Sequence, residues 1–300
     1  MEKEPEMNSD VVLVALDDAS KLASGYEYLW PYDYYAETVK KITDGEPQGF
    51  GMDILFTLTV DTVGWGSLVD ELAKSYMVVN PYSVEFGSIK EPFEINIHNG
   101  EILDELKMNN LSHVGPIEGK HVINIGYKTK SELVEVSAGL GFVDIKPDLD
   151  GVLRRIPIVA EINGMLAPHF ILKLICESHN YELRNIELVS PHKLILHNFP
   201  DGKTVKNLEI PLDGEGNMLI NYLSLDKIQY QIKSRQFTSI PAWNLIQLSK
   251  APDLTGKTVI FGDHSLAIRD KSITPMDGPL HNPLIFGIAM SNILDADFIT

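Results

Sequence analysis

The sequence is short of cysteine, arginine and positive charge, and it holds no long apolar run. Cys176 is the sole cysteine in 300 residues, which excludes an internal disulfide and any thiolate metal cluster. It lies in Phe170-Ile-Leu-Lys-Leu-Ile-Cys-Glu-Ser-His179, an apolar run at helical spacing, so a packed core thiol is expected. Lysine and arginine number 25 against 42 acidic residues, a net charge of −17. That charge repels phosphate backbones and anionic bilayers, which excludes nucleic acid as a partner and flat membrane adsorption as a function. The longest apolar stretches, Val11 to Leu16 and Leu284 to Met290, are too short to span a bilayer. The opening Met1-Glu-Lys-Glu-Pro-Glu6 has neither the basic flank nor the apolar core of a secretory signal. Taken as a whole protein the chain would be cytosolic; taken as an excised piece it could belong to any compartment. G-x-G-x-x-G, Walker, H-E-x-x-H and G-x-S-x-G motifs are missing too, so nucleotide, zincin and serine-hydrolase chemistry lose their main support.

What is present is the pattern of a globular α/β protein, 44% hydrophobic and 22% charged. Val11 to Leu16 reads as a buried strand stopped by the turn formers Asp17 and Asp18. A helix over Tyr32 to Thr43, a strand over Gly49 to Phe56, a short helix near Leu68 and a strand at Met77 to Val79 follow. Such alternation predicts a mainly parallel sheet flanked by helices. From 83 to 130 the periodicity loosens, and an irregular insertion is expected. Beyond it, short strands over Leu188 to Phe199, Val205 to Leu212 and Met218 to Tyr222 predict an inserted antiparallel β-rich meander. A helix at Pro241 to Leu248, the strand Lys257 to Gly262 and a last helix from about Pro283 to Asp295 complete the sheet. The expected organisation is a tail or linker over 1–10 and one domain over 11–300.

In parallel sheets ligands bind beyond the carboxyl ends of the strands. Three strands here end in polar residues: Asp17 and Asp18, Asp53, and Asp263 with His264. If those strands are neighbours, the five side chains share one acidic cleft and become candidate ligand-binding residues. Carboxylates in that setting suit a divalent cation such as Mg²⁺, or simply cap turns and helix N-termini. An Mg²⁺-dependent phosphotransfer or hydrolytic enzyme using Asp17, Asp18 and Asp53 is the rival functional reading. Asp148-Leu-Asp150-Gly151 is an Asp-Gly turn rather than a calcium loop, because Lys146 and Pro157 stand where oxygen ligands are needed. Arg154 and Arg155 are the first two of five arginines. On a strand they would point to opposite faces, one of them inward, where a guanidinium requires carboxylates. A structural ion pair with Asp150 or Asp53 is expected, and the inward arginine would supply the cleft's counter-charge.

Several short segments in order resemble one family. Leu13-Val-Ala-Leu-Asp-Asp-Ala19, Trp30-Pro31 before a helix, and Gly51-Met-Asp-Ile-Leu-Phe56 are similar to the opening of the CHASE domain of the second type. The likeness continues through Gly141-Phe-Val-Asp-Ile-Lys-Pro-Asp-Leu-Asp-Gly-Val-Leu-Arg-Arg-Ile-Pro157, Asn217-Met-Leu-Ile-Asn-Tyr222, Gly256-Lys-Thr-Val-Ile-Phe-Gly262 and Thr274-Pro275, spanning roughly 11 to 296. The resemblance implies a sensory input module rather than an enzyme, with no resident cofactor and an undefined small ligand or ion as partner. It also implies an extracytoplasmic location on the bacterial cell membrane. Membrane helices and a cytoplasmic output, an adenylate or diguanylate cyclase or a histidine or protein kinase, would complete the parent receptor, and a homodimer is compatible with it.

Overall fold

The computed structural model describes residues 5–26, 30–57, 61–75, 77–88, 93, 100–109, 111–114, 120–189, 192–202, 204–266, 270–276 and 278–299. The β-branched run Val11–Leu16 is strand β1, buried at every position. Helix α1 (Asp18–Ser24) follows at once, capped by Asp17 and closed by Gly25 at φ 79. The two aspartates that stop the strand thus also start a helix, with Asp17 in the capping role that was one of the two readings of these carboxylates. Helices α2 (Tyr32–Thr43) and α3 (Thr62–Ser75) flank strand β2 (Gly49–Asp53). Strand β3 (Val78–Gly87) comes next, then α4 (Gly100–Met108), β4 (Ser112–Val114) and β5 (Lys120–Lys128). The 83–130 segment, expected to be irregular, is ordered where it is described, and the rest of it lies outside the described residues. β5 pairs antiparallel with β3 through two register shifts, and those bulges erase the period-2 pattern from the sequence.

Helix α5 (Ser131–Val134) leads to β6 (Gly139–Phe142), which pairs parallel with β3. Strands β7 (Arg155–Pro157), β8 (Val159–Ile162) and β9 (Met165–Pro168) precede α6 (Phe170–Ser178), which buries Cys176. Strands β10 (Ile186–Val189), β11 (Lys193–Asp201) and β12 (Thr204–Pro211) form an antiparallel meander in which the single strand expected over Leu188 to Phe199 is two strands paired with each other; β4 pairs parallel with β10 at its edge. Residues 190 and 191 of the expected first strand lie outside the described residues. Strand β13 (Asn217–Leu219), expected to continue the meander, pairs instead with β7. Asp213, between β12 and β13, accepts the Asn217 backbone and side-chain N–H groups and turns the chain away. Helix α7 (Leu225–Lys233), β14 (Thr238–Pro241) and α8 (Ala242–Gln247) lead to β15 (Thr258–Asp263). The hairpin β16 (Lys271–Thr274) and β17 (Gly278–His281) then opens onto α9 (Asn282–Leu294).

The main sheet runs β14-β1-β15-β2-β3-β5-β8-β9, and β14 through β3 are parallel. Alternate residues of its strands face opposite layers. Val12, Val14, Phe50, Met52, Val259 and Phe261 pack against α2, α3 and α8. Leu13 and Ile260 face α6 and α9. Helix α6 lies unusually close to the sheet. A Cβ on Gly51 would come within 2.6 Å of Phe170 Cζ, and one on Gly141 within 2.5 Å of Phe170 Cα. The segment before β1 packs as well: Met7 is buried, and its amide donates to Gln231 Oε1 at 3.1 Å.

Candidate functional site

Strands β1, β15 and β2 are immediate parallel neighbours, with Leu16 opposite Asp263 and Gly262 opposite Asp53. Their carboxyl ends therefore lie side by side, and the five candidate side chains of the cleft start from three adjacent strand tips. They do not all face the same space. Asp17 turns back to accept the Ser20 amide at 2.8 Å, and Asp18 accepts the Leu266 amide at 3.0 Å, tying α1 to the loop after β15. His264 stacks on His281, with ring centroids 5.1 Å apart. Burial, and secondarily His281, holds the His264 imidazole down at about 4, so it is neutral at physiological pH. Its Nε2 and the His281 Nδ1 are buried without hydrogen-bond partners.

Asp263 is buried and paired. Its Oδ2 meets Lys21 Nζ at 2.9 Å, Lys21 Nζ also donates to Ser265 Oγ at 2.9 Å, and Asp263 Oδ1 accepts the Ser265 amide at 2.8 Å. Lys21 comes from the last turn of α1, whose start the Asp17 cap sets. The cap thus fixes which helical residue reaches the tip of β15.

Beside this pair opens a cavity of about 450 Å³ between the ends of β2 and β15, the segment after β6 and the start of α9. Asp53, Asp263 and Asp270 reach it, while Ile54, Leu55, Val143 and Phe286 form an apolar wall. Asp53 is the exceptional member. Its Oδ2 is out of contact with solvent and has no hydrogen-bond partner. Burial, and then the charge of Asp270, pushes its carboxyl well above the ordinary range. Asp270 is also raised, by burial first and by Asp263 and Asp144 after that, although the Asn282 amide donates to it. Asn282 is itself held by Ser272, whose hydroxyl donates to its Oδ1 at 2.9 Å. Glycine is required where α9 meets β15, because a Cβ on Gly262 would lie 2.5 Å from Pro283 Cγ. Among the described residues no group of three or more His, Cys, Asp or Glu side chains is arranged to hold a metal ion.

A family model described as the CHASE2 domain matches residues 1–300, the whole chain. The chain belongs to the CHASE2 family. CHASE2 domains are extracytoplasmic sensory domains. Neither a curated protein nor a solved structure matches the chain. No helix among the described residues is long and apolar enough to cross a membrane.

The arginines of this CHASE2 domain lie elsewhere. Arg154 precedes β7 and bonds Asp150 Oδ2 at 2.8 Å and Asp148 Oδ2 at 3.0 Å; Arg155 reaches Asp148 at 3.1 Å and Asp213 at 2.6 Å. Both are about a third exposed. Neither points into the sheet, so neither supplies the counter-charge expected for the cleft: Asp148 sits between them and draws both outward. Lys21 takes that role. Sequence reasoning missed Lys21, Asp270, Asn282 and His281. The signals available were the Asp-capped start of α1 and the polar residues flanking the last hairpin, both weak without a topology to join them.

Proposed function

We propose that this CHASE2 domain is the input module of a membrane receptor. A small ligand or ion enters the cavity at the strand ends and shifts α9 against β1, and the shift is relayed to a cytoplasmic cyclase or kinase. The observation that carries the reading is the path of two single elements. β1 ends at the cleft and α9 begins there, and each runs the depth of the domain to the opposite end. There the Asn8 amide donates to Ser291 Oγ at 3.0 Å, and its side-chain amide to Asp295 Oδ1 at 2.6 Å. A change at Asn282 or Phe286 thus has one continuous helix through which to displace residues 291–295 relative to residue 8. A signal also requires that the ligand favour one arrangement over the other, since equal affinity shifts nothing.

The test is made in the full-length receptor, with cyclic-nucleotide synthesis or phosphotransfer as readout. Asp53→Asn is expected to alter the response to stimulus while leaving the protein folded and in the membrane. Output identical to wild type under every stimulus tried would remove the cavity from the signalling path. The parent gene is also expected to encode apolar segments of about 20 residues flanking this region. A gene without them would end the receptor reading.

A further inference from the structure

The cavity's chemistry goes one step further than its position. Three carboxylates reach it and one is already neutralised by Lys21, which leaves Asp53 and Asp270. Among the described residues no cationic side chain is paired with either of them. Asp53 lines the cavity, and its Oδ2 is buried without a hydrogen-bond partner, a rare state for a buried polar group. Asp270 is not free to swing away, because the Asn282 amide holds it and Ser272 holds Asn282. The two acids thus face one space, with Asp270 tied to the start of α9. Asp144, the next carboxylate along, is used up by the Ser83 hydroxyl at 3.0 Å and the Val84 amide.

Four ligand classes can be weighed against this lining. An anion meets only negative charge. A neutral molecule leaves the two acids opposed without a counter-charge. A divalent metal needs about six oxygen ligands, and here a large share of the wall is Ile54, Leu55, Val143 and Phe286. An organic cation satisfies both halves: an ammonium head with three donors between the carboxylates, and an apolar body along the hydrocarbon wall. We infer that the strand-end cavity is a binding site for a small primary ammonium ligand with an apolar body, its head held by Asp53 and Asp270 and its body lying against Phe286. The volume, about 450 Å³, falls in the range of small-molecule pockets. The inference names the ligand class for the site proposed above and rests on that reading only for its biological role.

The test uses the chain as it stands and calorimetric titration with 2-phenylethylammonium, its neutral isostere 2-phenylethanol, the anion 3-phenylpropanoate, and Mg²⁺ alone. The expected result is saturable binding of the ammonium, at least tenfold weaker binding of the alcohol, and none of the anion. Asp53→Asn and Asp270→Asn, each checked for folding by circular dichroism, are expected to weaken the ammonium at least tenfold and leave the alcohol unchanged. Equal binding of ammonium and alcohol, full binding in both variants, or Mg²⁺ displacing the ammonium would overturn the assignment. So would the absence of binding by 2-phenylethylammonium, hexylammonium and 1,4-butanediammonium alike. The two proposals fail separately. Ammonium binding by a receptor whose output ignores Asp53→Asn keeps the site and removes its sensing role, while an Asp53-dependent output with no ammonium binding does the reverse.

Discussion

Replacing Asp53 by asparagine is expected to stabilise the domain, and the gain is expected to grow with pH. The wild-type carboxylate has an Oδ2 with neither solvent nor hydrogen-bond partner, and Asp270 stands against it. Asparagine keeps the shape and leaves a polar atom at the unpartnered position, so it removes the charge while the cost of about 1–3 kcal/mol for an unpaired buried group stays. The pH dependence has a definite sign. Burial raises the folded-state carboxyl above its ordinary value of 3.8, so folding takes up a proton that the unfolded chain has released. The stability linked to that proton is complete below the unfolded value and is lost as pH rises through the folded one. Inside this window the wild type loses about 1.36 kcal/mol per pH unit, and the variant lacks that contribution. Unfolding entropy of about 2.1 cal/mol/K per residue gives roughly 0.6 kcal/mol/K for a chain of this length, so each pH unit adds about 2 °C to the gap in Tm. Differential scanning calorimetry of both proteins from about pH 4.5 to about pH 8 measures it, and the difference cancels the titrations they share. A variant that melts lower at neutral pH, or two Tm curves that run parallel, would refute the reasoning.

Three other outcomes are expected. Lys21→Met leaves Asp263 charged and buried, a loss of about 3–5 kcal/mol in urea unfolding; the double variant with Asp263→Asn recovers a large part of it, and simple addition of the two losses would contradict the pairing. Gly262→Ala drives a Cβ into Pro283 and is expected to cost about 1–3 kcal/mol, read as a lower urea midpoint at unchanged slope; an unaltered midpoint would mean that α9 does not bear on β15 there. His264 is held neutral down to about 4, below its ordinary 6.5, so it contributes stability above 6.5 that is lost as pH falls toward 4. His264→Gln is expected to flatten that acid limb by up to about 1.36 kcal/mol per pH unit, and an acid limb of unchanged steepness would count against burial as the cause.

Strands β1, β2 and β15 of the parallel half were legible because each is a short, largely apolar run ended by polar residues, as in Val11–Leu16 and Thr258–Asp263; β14, Thr238-Ser-Ile-Pro241, has no such run and was not foreseen. The adjacency of the tips was a conditional reading that the strand order turns into geometry. The edge of the sheet was hidden. The residues of β5 carry no clean alternation because bulges against β3 reset the face on which each falls. The three residues of β13 could not declare that their partner is β7, more than fifty positions earlier. At the cleft, Asp53 and Asp263 could be picked from strand ends alone, whereas Asp270 and Asn282 gain their role from a hairpin that folds back over the sheet. Lys21 belonged to no pattern read from the sequence. Its burial follows from the crowding of α1 against α8, where the Trp243 amide donates to Ser20 Oγ at 3.2 Å.

The near-contact of α6 with the sheet limits which parts of the molecule can change shape. With Phe170 seated where side chains of Gly51 and Gly141 would otherwise stand, the helix packs closely on β2 and β6. Helix, β2 and β6 therefore behave as a single anvil. Any working motion falls to the layers that strike against it: the buried last helix on the same side, and the helices on the far face. Asp53 belongs to the anvil and Asp270 to the moving part, so the gap between those two acids is the joint of the machine.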